Sequence, residues 1–133
     1  MVGIYLREYL RTPDGWLNFV EVVFGSALWA LYGVFGATTW SEEFLYNCAC
    51  AIVSNGGVFL ISSSLSIPTA LLLPRLFYYS VFHLVAAACY MFGGVGSVQN
   101  DSHIDGIMAI LCGSFHVAHF FHSLRPKANA AGG

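Results

Sequence analysis

The sequence contains few charged residues. Only 9% of its 133 residues are Asp, Glu, Lys or Arg, whereas soluble domains carry about 25%. So few charges cannot cover the surface that a chain of this size exposes when it folds, which argues against a soluble enzyme domain and against a disordered chain. Five Lys and Arg residues against seven Asp and Glu residues also provide no basic patch for binding nucleic acid.

Apolar residues take the place of the missing charges. Hydrophobic residues make up 57% of the chain and aromatic residues 16%. Four apolar stretches approach the roughly 20 residues that a helix needs to cross the hydrocarbon core, and backbone groups in lipid must be hydrogen-bonded within their own segment. We therefore predict an all-α, polytopic membrane protein with a four-transmembrane-helix bundle. The predicted spans are 16–39, 44–65, 76–92 and 104–124, and the glycines of 93–97 are expected to loosen the end of the third.

The basic residues predict the orientation in the membrane. With four spans, the segment before the first, the loop between the second and third, and the segment after the fourth share one side. All five basic residues lie there, and the positive-inside rule makes that side cytoplasmic. The predicted organisation is a cytoplasmic juxtamembrane segment 1–15, a transmembrane domain 16–124 and a cytoplasmic tail 125–133. The basic residues are Arg7, Arg11, Arg75, Arg125 and Lys127.

Four ionisable residues fall inside the spans at a common depth. Glu21 on the first span, His83 on the third, and His116 and His119 on the fourth lie about 8–12 Å from the cytoplasmic ends of their helices. Ionisable groups inside a membrane are costly and usually face the interior of a bundle. We therefore predict that these four residues form an intramembrane polar cluster.

Three interpretations of this cluster compete. Glu21 can hydrogen-bond a histidine on another helix, which is worth about 0.6–2 kcal/mol per contact in a membrane. Alternatively, the histidines bind a metal or haem, or the cluster belongs to a proton or ion path. We favour hydrogen bonding, because no second helix supplies an unmistakable set of metal ligands and a proton relay needs a string of carboxylates. The sequence therefore predicts no catalytic residue, no cofactor and no metal.

Small residues form a stripe along the first span. Ser26, Ala30, Gly33 and Ala37 are spaced by four, three and four residues, which places them on one helix face. Because packing rather than hydrophobicity drives helix association in lipid, such a stripe allows a close helix contact. We favour a contact inside the bundle, with contact to another chain as the alternative. A glycosylation sequon at Asn100 also lies on the predicted outer side, and the sequence does not decide whether it is used.

Several of these features together resemble a known family. An acid lies one to two turns into the first span. The third span carries an aromatic–His pair, an Ala-Ala pair and a tyrosine, and the last span ends in basic residues. In sequence these are Glu21, Phe82-His83, Ala86-Ala87, Tyr90, and the segment from His119 through His122 to Arg125. The pattern resembles the MARVEL family of four-span proteins, which includes the myelin-and-lymphocyte protein, plasmolipin and the chemokine-like-factor membrane proteins.

The resemblance implies a function without catalysis. It suggests a protein of membrane apposition, vesicle trafficking or lipid-domain organisation, located in the plasma membrane or in secretory-pathway vesicles. Its partners would be membrane lipids and other membrane proteins or further copies of itself, and not nucleic acid. Two alternatives stay open, namely an accessory subunit of a larger channel, transporter or junction complex, and a small membrane redox protein that uses the histidines.

Overall fold

Four long helices dominate the fold, as seen in a computed structural model that describes residues 5–125. All four are long and apolar enough to cross a membrane, which confirms the predicted all-α, four-helix architecture and indicates an integral membrane protein. In chain order the elements are α1 (Leu6–Leu10), α2 (Pro13–Phe35), α3 (Trp40–Leu65), α4 (Ile67–Leu72), a 3₁₀ turn (Leu73–Arg75), α5 (Phe77–Gln99) and α6 (His103–Leu124).

The long helices form a bundle in which each packs against two others. Helix α2 contacts α3 and α6, and α5 contacts α3 and α6, with the most extensive contact between α5 and α6. Because the connections are short, neighbouring helices run in opposite directions. The apolar core includes Leu28, Leu45, Tyr90 and Ala109, all fully buried. Each of the four long helices therefore contributes to a single core.

Capping interactions define where the first two long helices begin. The Thr12 hydroxyl accepts a hydrogen bond from the Gly15 amide at 3.0 Å, and proline occupies the first helical position of α2. Helix α3 begins with a capping box, in which Thr39 and Glu42 each bond the backbone of the other. This box explains why α3 begins at Trp40, four residues before the predicted start of the second span.

The glycine-rich segment at the end of the third span does not loosen the helix. Helix α5 continues through it to Gln99, so the prediction of a span ending near Phe92 was wrong. The reason is that the glycines face neighbouring helices. A Cβ added at Gly94 would lie 2.9 Å from the backbone oxygen of Gly106, and one added at Gly93 would lie 2.5 Å from a methyl of Leu45. Because these positions carry glycine, the neighbouring helices can approach closely.

The short helix α1 is attached to one end of the bundle. The Tyr5 amide donates a hydrogen bond to the Ser64 carbonyl at 2.8 Å, and the Asn18 side-chain amide donates to the Tyr9 hydroxyl at 3.1 Å. Burial raises the pKa of the Tyr9 hydroxyl, so it accepts this bond as a neutral phenol. Residues 1–4 of the predicted juxtamembrane segment and residues 126–133 of the predicted tail, including Lys127, lie outside the described residues.

The orientation in the membrane stays a prediction that can be tested directly. Tags fused to either terminus should be inaccessible to membrane-impermeant reagents in intact cells, because the basic residues favour the cytoplasmic side. A tag inserted between Gly36 and Ala37, in the connection before α3, should be accessible. Permeabilised cells provide the control for tag integrity, and labelling of a terminal tag in intact cells would contradict the predicted topology.

Candidate functional site

The four ionisable residues predicted to share one depth meet in the bundle. Glu21 of α2 lies at the centre. Its Oε1 is 3.0 Å from His119 Nδ1 and 3.4 Å from His116 Nδ1. Its Oε2 is 3.5 Å from His83 Nδ1, and His83 Nδ1 lies 3.0 Å from His116 Nδ1. Helices α5 and α6 therefore direct the same ring nitrogen of three histidines towards one carboxylate on α2, and we call these four residues the inner polar cluster.

Two further residues contact the outer side of the His119 ring. The Tyr79 hydroxyl lies 2.9 Å from His119 Nε2, and Asp14 Oδ1 lies 3.6 Å from the same nitrogen. Asp14 Oδ1 is also 3.6 Å from His122 Nε2, whose side chain is 27% exposed. The ring of His119 is thus held from both sides, whereas His122 lies at the edge of the cluster.

Sequence reasoning did not identify Asp14 and Tyr79 as part of this site. In the sequence, Asp14 has an evident role as an acid that stabilises the start of α2, and Tyr79 carries no charge that would mark it as part of an ionisable cluster. Helical spacing nevertheless carried a signal. Asp14 precedes Glu21 by seven residues and Tyr79 precedes His83 by four, so each lies on the same face of its helix as a predicted cluster residue.

The inner polar cluster is shielded from the surroundings. Glu21, His83, His116 and His119 are each at most 3% exposed. Among the described residues, Glu21 Oε2 and the Nε2 atoms of His83 and His116 have no hydrogen-bond partner. The small pocket that Glu21 and His116 share with α3 has no space for a water molecule. Buried polar atoms without partners are rare in proteins, so this cluster is chemically unusual.

The cluster can act chemically in two ways. Its contacts can join α2, α5 and α6 by hydrogen bonds between side chains, as the favoured interpretation predicts. Glu21, His83 and His119 can also each offer one donor atom such that all three atoms lie within 4.8 Å of one another, which suits a metal ion. The structure therefore removes the reason for setting metal binding aside, since ligands come from three helices.

The centre of the small-residue stripe, on α2, does not mediate a contact within the described chain. Ala30 and Gly33 are exposed and Ser26 and Ala37 are only half-buried, and a Cβ added at Gly33 meets no atom within 4 Å. The interpretation as internal packing therefore does not hold at Ala30 and Gly33, whereas Ala37 packs against the apolar core. The helical spacing places Ser26, Ala30 and Gly33 on one face of α2, but the rotation of that helix about its axis directs Ala30 and Gly33 outwards, and Ala37 lies beyond the end of the helix. Contact with another chain stays a prediction.

A second polar group joins the connections at the opposite end of the bundle. Glu42 Oε2 accepts hydrogen bonds from the Thr38 amide at 2.6 Å and the Thr39 amide at 3.0 Å, and its Oε1 accepts one from the Ser102 hydroxyl. The side-chain amide of Asn100 donates to Ser41 at 3.0 Å. These contacts link the connection before α3 to the turn before α6. A glycan on Asn100 would replace one of the two amide hydrogens that Asn100 donates to Ser41 and to the Gly96 carbonyl.

Comparison with known proteins gives no assignment. The chain matches no protein-family model, no curated protein and no solved structure, so an assignment of function has to come from its own residues.

Proposed function

We propose that this protein is a non-enzymatic membrane organiser of MARVEL type, which acts through contacts of its helix faces with lipids and with other membrane helices. The observation that carries the proposal is the outward position of two residues of the small-residue stripe. Ala30 and Gly33 are exposed, and the space beside Gly33 is open. In lipid, a flat face of small residues is a favourable surface for a second helix.

The remaining outer surface supports contact with lipid. Large apolar side chains are exposed on every long helix, among them Val34 at 75%, Phe35 at 78% and Phe77 at 84%. Trp16 and Trp40, near the starts of α2 and α3, are 57% and 66% exposed. Tryptophan favours the interface between hydrocarbon and water, so these two positions suit opposite membrane surfaces.

The MARVEL resemblance supports the same proposal. It rests on an acid early in the first span, on the Phe82-His83 pair and on the basic end of the last span. The resemblance implies a function without catalysis, in membrane domains, vesicle trafficking or membrane apposition. It also implies a location in the plasma membrane or in secretory vesicles. The resemblance transfers no catalytic residue to this chain.

A substitution at Gly33 tests the proposal. Gly33→Leu should reduce self-association or the recovery of partner proteins, because a bulky side chain would prevent close approach of another helix. Its thermal stability in detergent should be no lower than that of the wild type, because the added side chain meets open space within the chain and leucine has a higher helix propensity than glycine. The measurement is cross-linking and affinity purification from nanodiscs, with mass spectrometry of bound proteins and lipids.

Gly57→Leu is the matched control, because a Cβ added at Gly57 on α3 also meets no atom within 4 Å. It should leave the associated proteins unchanged. Equal recovery of all associated proteins and lipids with wild type and Gly33→Leu would contradict a role for this face. Stoichiometric recovery of one large partner would instead favour the accessory-subunit alternative, since an organiser is expected to associate with several proteins or with itself.

A further inference from the structure

We propose that the inner polar cluster is a binding site for a divalent transition-metal ion, for which Zn²⁺ is the best match, with Glu21, His83 and His119 as ligands and His116 as the fourth. The site would join α2, α5 and α6 inside the membrane. This role goes beyond the proposed contacts of the outer helix faces, because it concerns the interior of the bundle.

Two of the separations between donor atoms match tetrahedral coordination and two are slightly shorter. Zinc binds imidazole nitrogen and carboxylate oxygen at about 2.0–2.2 Å, so two ligands of a tetrahedral site lie roughly 3.3–3.5 Å apart. Glu21 Oε1 and His116 Nδ1 are 3.4 Å apart, and Glu21 Oε2 and His83 Nδ1 are 3.5 Å apart. The pairs Glu21–His119 and His83–His116 are 3.0 Å apart. Small outward movements of these side chains would accommodate the ion.

The surroundings of His119 resemble those of a metal ligand. Metal-binding histidines usually donate a hydrogen bond from their second ring N–H to a carboxylate or another acceptor, which fixes the ring and increases its basicity. In this chain Nδ1 of His119 faces Glu21, while its Nε2 faces the Tyr79 hydroxyl and the Asp14 carboxylate. Asp14 would therefore act as a positioning residue behind His119.

Charge and hydration also favour a cation. The carboxylates of Glu21 and Asp14 would balance a divalent ion bound by neutral imidazoles, which matters because unbalanced charge is costly inside a membrane. Glu21 Oε2 is buried without a hydrogen-bond partner among the described residues, and the adjoining pocket has no space for water. A metal ion would bind the lone pair of Glu21 Oε2, to which no described group donates a hydrogen bond.

The ligand types select the class of metal. A set of three imidazoles and one carboxylate suits zinc, copper, iron or nickel, whereas magnesium and calcium prefer oxygen ligands. Zinc imposes no geometry of its own from d-electrons, so it adapts best to a rigid site. A cavity of about 360 Å³ at the α1 end of the bundle is lined in part by Glu8, Tyr9 and Asp14, and Asp14 is the residue that contacts His119.

Metal analysis of the purified full chain tests this inference. The protein is purified in mild detergent, stripped with a chelator, and titrated with Zn²⁺ or Co²⁺. We expect about one ion per chain, the intense visible absorption of tetrahedral Co²⁺, and a higher melting temperature with Zn²⁺ because the ion binds only the folded state. No bound metal and no change in melting temperature on adding Zn²⁺ or Co²⁺ would overturn the proposal.

Variants separate this site from adventitious binding. Glu21→Gln and His83→Gln should abolish the Co²⁺ spectrum, and Asp14→Asn should weaken binding about 10–100-fold, as loss of a supporting carboxylate does elsewhere. His103→Gln is the control, because His103 is exposed at the far end of α6, and it should bind like wild type. Undiminished binding by both ligand variants, or loss of binding in His103→Gln, would show that the ion binds elsewhere. If a ligand variant does not fold, the wild-type titration still decides whether the ion is bound.

Discussion

Replacing Glu21 with leucine is expected to lower the free energy of unfolding by about 2–4 kcal/mol. This range lies between the loss of one interhelical hydrogen bond in a membrane and the loss of one partner from a buried ion pair. The physical reason is that His83, His116 and His119 all direct Nδ1 towards this carboxylate. The measurement is reversible unfolding in detergent micelles, in the presence of a chelator so that bound metal does not contribute.

Two further substitutions make this prediction specific. Glu21→Gln should cost less, because an amide can still bond His119 Nδ1 across the same distance. Val23→Leu changes an exposed position on the same helix and should alter the free energy of unfolding by no more than about 0.5 kcal/mol. If Glu21→Leu proved as stable as Val23→Leu, the inner polar cluster would contribute nothing to holding the helices together.

The composition of the inner polar cluster was largely predictable from the sequence. Four ionisable residues lay at one depth, and the cost of burying them in lipid brought them together. The sequence could not show which atoms meet, since that depends on how each helix is rotated about its axis. Glu21 therefore contacts all three histidines, where depth alone nominated any one of them as its partner.

The helix contacts were less predictable than the cluster. Small residues at helical spacing define a face, but they do not reveal which neighbour, if any, lies against that face. The stripe containing Gly33 faces outwards, whereas Gly94 and Gly106 lie where α5 and α6 approach closely. In sequence Gly94 belongs to a glycine-rich segment that resembles a helix end, and only the packing of α6 against it explains why the helix continues.

Replacing Gly106 with alanine tests this close approach, and it is expected to lower the free energy of unfolding by about 1–3 kcal/mol, as overpacking does in well-packed cores. A Cβ at this position would lie 2.5 Å from a Val98 methyl, 2.7 Å from the Gly94 carbonyl oxygen and 2.9 Å from the Val98 amide nitrogen. Two of these atoms belong to the backbone, so a change of side-chain rotamer cannot relieve the clash. The two helices would have to separate along their most extensive contact.

Gly33→Ala is the matched control, and it should change stability in the opposite direction. Alanine has a higher helix propensity than glycine by about 1 kcal/mol, and the added methyl at Gly33 meets no atom within 4 Å. Unfolding of both variants in the same detergent would therefore separate the steric effect from the propensity effect. If Gly106→Ala were stabilised as much as Gly33→Ala, α5 and α6 would not approach as closely as the positions of Gly94 and Gly106 require.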